Sequence, residues 1–314
     1  MTLALVLIAS GLMLLAFGHQ AIRWMSGSGT DPRVTIVMWL IALAAGPGML
    51  IAGVAVLLLP DHAGLGGLLR SAGGCLVHLG GEVMPTREEA TGLAGLTVIL
   101  LLLARTAVVA VRLTRARRQR LDHHRFLVAL ATAPDHTQDA TVRMLQHSRP
   151  VAYSVGGKGG MVVVSRGLKE GLTPDAFAAA LEHERAHLTG RHHWMLSAVD
   201  ILAAALPIAP LLREAPKDLR ILVEYAADTS AALRWGGPAV RSALLAVAGS
   251  SVPDCALGMA GGEIDNRLAR LETPLRHASP IRRHLRCSLA GAATALTPLL
   301  ACVTIFLIVA CPTA

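Results

Sequence analysis

One short segment combines histidine and glutamate in a spacing that suits metal chemistry. It reads His-Glu-Arg-Ala-His from His183 to His187. In a helix, side chains four residues apart lie one turn apart on the same face, so both imidazoles can bind one zinc ion. Glu184 lies beside them and can act as a general base on a water molecule. With 13 histidines in 314 residues, chance would produce this pattern only roughly 0.02 times.

An acidic pair further along the chain can complete this site. Glu224 and Asp228 lie on a second predicted helix, which begins at Pro216-Lys217-Asp218 and closes at Gly236-Gly237-Pro238. Glu224 can be the third zinc ligand, and Asp228 can accept a hydrogen bond from a ligand imidazole. The alternative is a solvated helix face that carries two acids. The predicted site consists of catalytic Glu184, the zinc ligands His183, His187 and Glu224, and Asp228 as the outer hydrogen-bond partner.

The segments that precede Glu224 are predicted to form a hairpin and a capped helix. A strand over 153–155, a glycine-rich turn and a strand over 161–165 indicate the hairpin. The turn does not match a phosphate-binding loop, because Lys158 is followed by glycine and then by a β-branched run. The second strand is interpreted as a sheet edge that can pair with an extended peptide. Thr173 is predicted to cap the helix that carries the two histidines, and Gly190 to end it.

The composition indicates a membrane protein. Hydrophobic residues make up 53% of the chain and charged residues 16%, against about 25% charged in an ordinary soluble domain. A purely soluble enzyme, a disordered chain and a collagen-like fibre are therefore excluded. Apolar runs at 3–17, 34–59, 92–111 and 287–310 predict four transmembrane helices. The apolar run at 201–212 is too short and too interrupted by proline to span, so it is interpreted as a hairpin that enters the membrane surface or packs on the first spans.

The arginines indicate how the chain crosses the membrane. The net charge is +8, and arginines cluster after the third apolar run, between Arg112 and Arg120, and before the fourth. The positive-inside rule then places 112–286 in the cytosol and both termini outside. The cluster is interpreted as a topology signal that contacts lipid headgroups, so no direct nucleic-acid partner is expected. Arg105, about 9 Å inside the third span, is interpreted as snorkelling towards the headgroups.

Two stretches of sequence resemble known membrane peptidases. They are "VVVSRGLKEGLTPDAFAAALEHERAHLTGRHHW" and "EYAADTSAA". Together they carry the gluzincin pattern, a His-Glu-x-x-His segment followed by Glu-x-x-x-Asp. These two stretches resemble the M56 family of membrane-bound zinc metallopeptidases, which includes antibiotic-sensor proteases, and more distantly the M48 family. The M56 sensors place a cytosolic zinc protease between their third and fourth spans. They also carry an extracellular penicillin-binding domain that is not expected here, so β-lactam sensing through it is not expected either.

The resemblance implies an α+β fold in which a gluzincin-type zinc protease domain is inserted between the third and fourth of four transmembrane helices. The predicted divisions are a membrane domain over 1–111, a cytosolic zinc metalloprotease domain over 112–286 and a fourth transmembrane helix over 287–314. The resemblance further implies a multi-pass cell-membrane protein with a Zn²⁺ cofactor, in contact with the lipid bilayer. Its protein substrate would be cytosolic or membrane-bound, such as a transcriptional repressor or the chain itself.

Three other interpretations stay open at this point. An intramembrane protease would carry its motif inside an apolar span, whereas here Glu182, Arg185 and Arg191 surround it. An M48-like quality-control protease would share every active-site residue. A signalling or scaffold protein could use the zinc only for structure. The donor that stabilises the oxyanion is also open among four residues, which are Tyr225, His192, His193 and Arg234.

Overall fold

The computed structural model describes residues 2–26, 30–58, 87–133, 141–157, 159–248, 264–272 and 285–294, together with 296 and 300. Within these ranges the chain is mostly helical with one small sheet, which confirms an α+β composition. The first three helices are α1 (Thr2–Met25), α2 (Pro32–Leu58) and α3 (Arg87–Ala131). Each contains a segment that is long and apolar enough to cross a membrane, at Leu3–Met25, Pro32–Leu57 and Leu93–Ala131. The molecule therefore has the character of a membrane protein.

Helix α3 is much longer than the span predicted within it. It has 45 residues, whereas about 20 residues cross a bilayer. No glycine or proline interrupts the sequence after Gly95, so the helix continues past the end of the apolar run into the arginine-rich segment. The predicted boundary at 111–112 thus lies inside one continuous helix.

The predicted fourth span is described only at its beginning. Residues 285–294 are helical, and Cys287 and Ala290 pack against an apolar cluster that includes residues of the first two helices. A side chain on Gly291 would collide with Ile41 of α2, so the two segments are in close contact. Most of the predicted span lies outside the described residues, and the four-span count stays a prediction.

The sheet contains four short strands, β1 (Thr132–Ala133), β2 (Val142–Leu145), β3 (Ala152–Val155) and β4 (Met161–Ser165). Their order is β1-β2-β4-β3, with β2 parallel and β3 antiparallel to β4. The predicted hairpin is confirmed as β3 and β4. The prediction that 161–165 forms a sheet edge is wrong, because β4 pairs on both sides and β3 is the outer strand. A sequence shows which residues form strands but not which neighbours they find.

Among the described residues up to 272, six helices follow the sheet. They are α4 (Arg166–Gly171), α5 (Pro174–Thr189), α6 (His192–Ala205), α7 (Pro210–Trp235), α8 (Gly237–Val247) and α9 (Ile264–Glu272). The predicted start of α7 at Pro216 is wrong, because the helix begins at Pro210 and contains Pro216 in its interior. Pro216 cannot donate to Leu212, but the extra turns bury Leu211 and Leu212 completely. That burial stabilises the extension by more than one hydrogen bond would.

Two apolar cores hold these helices together. The first, here the span-side core, joins α1 and α2 to α6 and α7. Its members are Leu14, Ile22, Val34, Ile36, Met38, Trp39, Ala42, Leu43, Leu196, Val199, Leu211, Leu212, Ala215, Leu219, Val223 and Ala226. The second, here the sheet-side core, joins the sheet to α4, α5, α8 and the end of α7. Its members are Ala152, Val162, Val164, Leu168, Ala179, Ala180, Ala231, Ala232, Val240, Ala243, Leu244 and Val247.

Candidate metal centre

Helix α5 presents its histidines from a well-defined position. The Thr173 side chain accepts a hydrogen bond from the backbone N–H of Ala176, and Gly190 ends the helix, so both predicted caps are confirmed. Small side chains at Ala179 and Ala180 are fully buried in the sheet-side core, which lets the helix lie close to the strands.

The structure brings the three predicted ligands together. The Nε2 atoms of His183 and His187 lie 3.1 Å apart. Glu224 Oε2 lies 3.3 Å from Nε2 of His183, and the other carboxylate oxygen, Oε1, lies 3.5 Å from Nε2 of His187. In tetrahedral coordination with metal–ligand bonds of about 2.0–2.1 Å, ligand atoms are about 3.3 Å apart. All three separations are close to this ligand–ligand distance, so the residues fit a zinc-sized ion.

The outer nitrogen of each histidine is held by a neighbour. His183 Nδ1 lies 3.0 Å from Asp228 Oδ1, at hydrogen-bond distance although the ring N–H is not well aligned with that oxygen. His187 Nδ1 lies 3.0 Å from His192 Nδ1. Protons on the two outer Nδ1 atoms leave both Nε2 atoms with free lone pairs, as metal ligation requires. Asp228 therefore lies beside the outer nitrogen of His183.

Sequence reasoning did not identify the position of His192. That residue follows the turn at Gly190 and Arg191, where Arg191 adopts a left-handed conformation with φ 51°. A Cβ on Gly190 would collide with the His192 imidazole, so only glycine lets this imidazole fold back over α5. The glycine at the helix stop, one turn after His187, is the signal that could have indicated it.

Sequence reasoning also missed a buried arginine on α9. Arg267 is only 1% exposed. Its guanidinium donates two hydrogen bonds of 2.7 Å to the Asp228 carboxylate and lies 3.2 Å from Glu224. One turn along, Arg270 lies 4.7 Å above the centre of the Tyr225 ring. Arg267 thus holds the third ligand and the outer hydrogen-bond partner in one arrangement.

The charges around the centre favour a divalent cation. Burial lowers the pKa of His183, but contacts with Asp228 and Glu224 outweigh burial and raise this pKa to about 9. Burial raises the pKa of Asp228, but Arg267 and His183 outweigh it and hold this pKa at about 2. Burial also lowers the pKa of His187 well below its ordinary value. When both imidazoles are neutral, as metal ligation requires, the carboxylates of Glu184, Glu224 and Asp228 and the guanidinium of Arg267 together carry a charge of −2, which a divalent ion would balance.

The four candidate oxyanion donors have other contacts. Tyr225 lies beneath Arg270, and His192 contacts His187. His193 Nε2 lies 3.3 Å from the Ser154 hydroxyl on β3. Arg234 donates to Glu182 of α5 at 3.0 Å, away from the metal centre. None of these contacts identifies the oxyanion donor.

Comparison with known proteins agrees with the chemistry of this centre. The model of peptidase family M48 matches residues 92–217, from the apolar part of α3 through the sheet and the whole of α5 into α7. Comparisons with curated proteins and with solved structures gave no significant match. The match supports the M48 metallopeptidase family, the more distant of the two families that the sequence resembles. It indicates a metal-dependent peptidase, and the described residues provide a matching cluster at His183, His187 and Glu224.

Proposed function

We propose that this chain is a membrane-embedded zinc endopeptidase that cleaves a cytosolic or membrane protein. One observation carries the proposal. Three potential ligand atoms, from His183, His187 and Glu224, lie within 4.8 Å of one another, and Glu184 is buried on the same helix. The M48 match supports this chemistry independently, since it depends on the sequence of residues 92–217 and not on these distances.

The residues divide the hydrolysis of a peptide bond between them. A zinc ion held by His183, His187 and Glu224 would polarise the scissile carbonyl and make water more acidic. Glu184 takes a proton from the attacking water and delivers it to the leaving amine. Asp228 and His192 keep the two ligand imidazoles in the required tautomer and orientation.

Substrate entry requires a movement in the protein. His183, Glu184 and His187 are 0% exposed, so a peptide cannot reach them in the conformation described. The outer strand β3 packs against α5, and its Ser154 contacts His193. Since β3 is the outer strand of the described sheet and packs against α5, an extended peptide that adds to this edge would lie near the helix that carries the two histidines. The structure thus corresponds to a closed state in which the centre is assembled before substrate enters.

The resemblance to M56 peptidases supports a regulatory role. In this proposal residues 112–286 lie in the cytosol, both termini lie outside, and the substrate is a transcriptional repressor or the chain itself. A second candidate, a quality-control protease for membrane proteins, agrees equally well with the M48 match. Both candidates require the same centre, and they differ in whether cleavage is confined to one protein or extends to many damaged ones.

The proposal can be tested with the detergent-purified full chain and its Glu184→Gln variant. Both proteins are expected to bind one zinc ion, while cleavage of casein or of the chain itself falls about 10²- to 10⁴-fold in the variant. Glu182→Gln is the matched control, because Glu182 is on the same helix but pairs with Arg234 at the surface. Zinc in both proteins without cleavage by either, even with a membrane protein added as substrate, would favour a structural metal. Absence of zinc from both would remove the metal centre altogether.

A further inference from the structure

The turn between α6 and α7 exposes an apolar side chain at the end of a helical hairpin. We call residues 206–210 the hairpin tip. Ile208 is 93% exposed, more than any other large hydrophobic residue in the described ranges. Leu206 and Ala209, on either side of it, pack against the span-side core. The tip therefore lies against the membrane helices with one large aliphatic group pointing away from the protein.

Helix α3 gives a first measure of where the tip lies. Arg105 Nε donates to the carbonyl of Ala205 at 2.6 Å. Ala205 is the last residue of α6, so the guanidinium caps the carboxyl end of that helix. The interpretation that Arg105 snorkels to the headgroups is wrong, because the side chain contacts the hairpin instead. Arg105 precedes the end of the apolar run by six residues, which corresponds to about 9 Å along the helix.

Helix α1 gives a second and independent measure. Arg23, near its end, pairs with Asp218 at 2.8 Å and with Glu214 at 3.1 Å on α7. Five residues earlier in α1, a methyl group on Gly18 would lie 3.4 Å from Leu211 Cδ1. Leu211 therefore lies level with Gly18, about 7–8 Å closer to the amino-terminal end of α1 than Arg23. Because α7 runs away from the tip, Ile208 lies deeper still.

The backbone of the tip is suited to a place without water. Pro207 and Pro210 have no N–H group to satisfy. Leu206 donates to the carbonyl of Leu202 at 3.0 Å, and Ala209 donates to that of Leu206 at 3.3 Å. Unpaired backbone groups are costly in hydrocarbon. These pairings, together with the cap from Arg105, remove most of that cost.

We propose that the hairpin tip is inserted into the outer part of the hydrocarbon layer, with lipid acyl chains around Ile208. Two helices place it at a similar depth through unrelated contacts, and its exposed side chain is aliphatic. The insertion fixes the height of the metal centre above the membrane. Glu224 follows Asp218 by six residues, so the centre lies about 9 Å beyond the level of Arg23.

The inference is tested on the full chain in phosphatidylcholine vesicles. Its five cysteines are replaced by alanine, Glu184→Gln prevents self-cleavage, and a nitroxide is attached through Ile208→Cys. Oxygen, which concentrates in hydrocarbon, is expected to relax this label much more than a water-soluble nickel chelate does. Trp235→Cys, at the opposite end of α7, is the matched control and is expected to show the reverse preference.

Two results would overturn the inference. Nickel access at position 208 equal to that at 235 would place the tip in water, and access to neither reagent would place it against protein. If removal of the cysteines prevents folding, Ile208→Trp in the otherwise unchanged chain replaces the label. Its added fluorescence is expected to be quenched by lipids that carry a doxyl group on the acyl chain, and quenching by aqueous iodide instead would contradict the inference. Neither measurement depends on peptide cleavage.

Discussion

The two halves of the metal centre belong to different cores. Helix α5, which carries His183 and His187, packs into the sheet-side core. Helix α7 passes from one core to the other, since Val223 lies in the span-side core and Ala231 in the sheet-side core. Glu224 lies between these two residues. The difference shows that the candidate metal centre is completed by a helix that packs against the long apolar helices α1 and α2.

The two halves also differ in how their geometry is determined. The histidines share one capped helix, so their separation depends only on local structure. Glu224 reaches them through contacts distant in sequence. Arg23 binds two carboxylates on α7, and Arg33 of α2 donates to the Ser230 hydroxyl at 2.7 Å. The position of the third ligand should therefore respond to changes in the span-side core more than the histidine pair does.

Matched cavities in the two cores test this difference most strongly. Leu219 in the span-side core and Leu244 in the sheet-side core are both 0% exposed. Replacement of either by alanine is expected to lower the free energy of unfolding by about 2–5 kcal/mol. At temperatures where both variants stay folded, Leu219→Ala is expected to weaken zinc binding more, because Leu219 lies close to Glu224 on α7. Zinc affinity is measured by competition with a chelator, beside thermal unfolding.

Leu244→Ala is the control for Leu219→Ala, because it makes a similar cavity in the other core. Equal loss of zinc affinity in the two variants, at equal loss of stability, would mean that the cores act as one unit. A greater loss in Leu244→Ala would place the dominant constraint on α5 instead.

His193 connects helix α6 with strand β3 of the sheet and makes that connection dependent on pH. It lies at the start of α6 and contacts Ser154 of β3. Burial, with smaller effects of Arg117 and His192, lowers its pKa from 6.5 to about 4. A lowered pKa in the folded state means that the unfolded state binds the proton more readily, so stability falls as the pH drops from 6.5 to 4. The expected contribution over this window is roughly 3 kcal/mol.

The variant His193→Gln tests this effect, since glutamine keeps a polar group near Ser154 but does not titrate. In metal-free protein, the fall in the free energy of unfolding between pH 6.5 and 4 is expected to shrink by that amount. Unfolding is followed by circular dichroism at each pH. An unchanged pH dependence would show that His193 is protonated without cost and that the link between α6 and the sheet does not depend on its charge.

The same contrast explains what the sequence could predict. The capped helix of His183 and His187 and the hairpin of β3 and β4 follow from local patterns, so both were predictable. The pairing of β4 on both sides and the start of α7 at Pro210 depend on partners distant in the chain. The only sequence signal for the position of His192 is the glycine at the helix stop, and Arg267 has none, because no spacing rule connects an arginine on a later amphipathic helix to a metal ligand.

Arg267 allows the smallest of these effects to be measured, because it reaches Glu224 from the sheet-side core. Its helix packs there through Ile264, Leu268 and Leu271. Arg267→Met would leave two buried carboxylates without their guanidinium. Loss of an outer partner of this kind typically costs about 10- to 100-fold in metal affinity. Arg267→Lys should recover part of that loss, since an ammonium restores the charge but not the paired hydrogen bonds.

A surface ion pair between α8 and α9 provides the control for Arg267, which is also on α9. Arg241 of α8 contacts Glu272 of α9 at 2.7 Å with both side chains largely exposed, so Arg241→Met should change stability by less than about 1 kcal/mol and leave zinc affinity unchanged. If Arg241→Met weakens zinc binding as much as Arg267→Met does, the centre depends on the docking of α9 as a whole. If only the Arg267 variants do so, the guanidinium itself joins the sheet-side core to the ligand that the spans position.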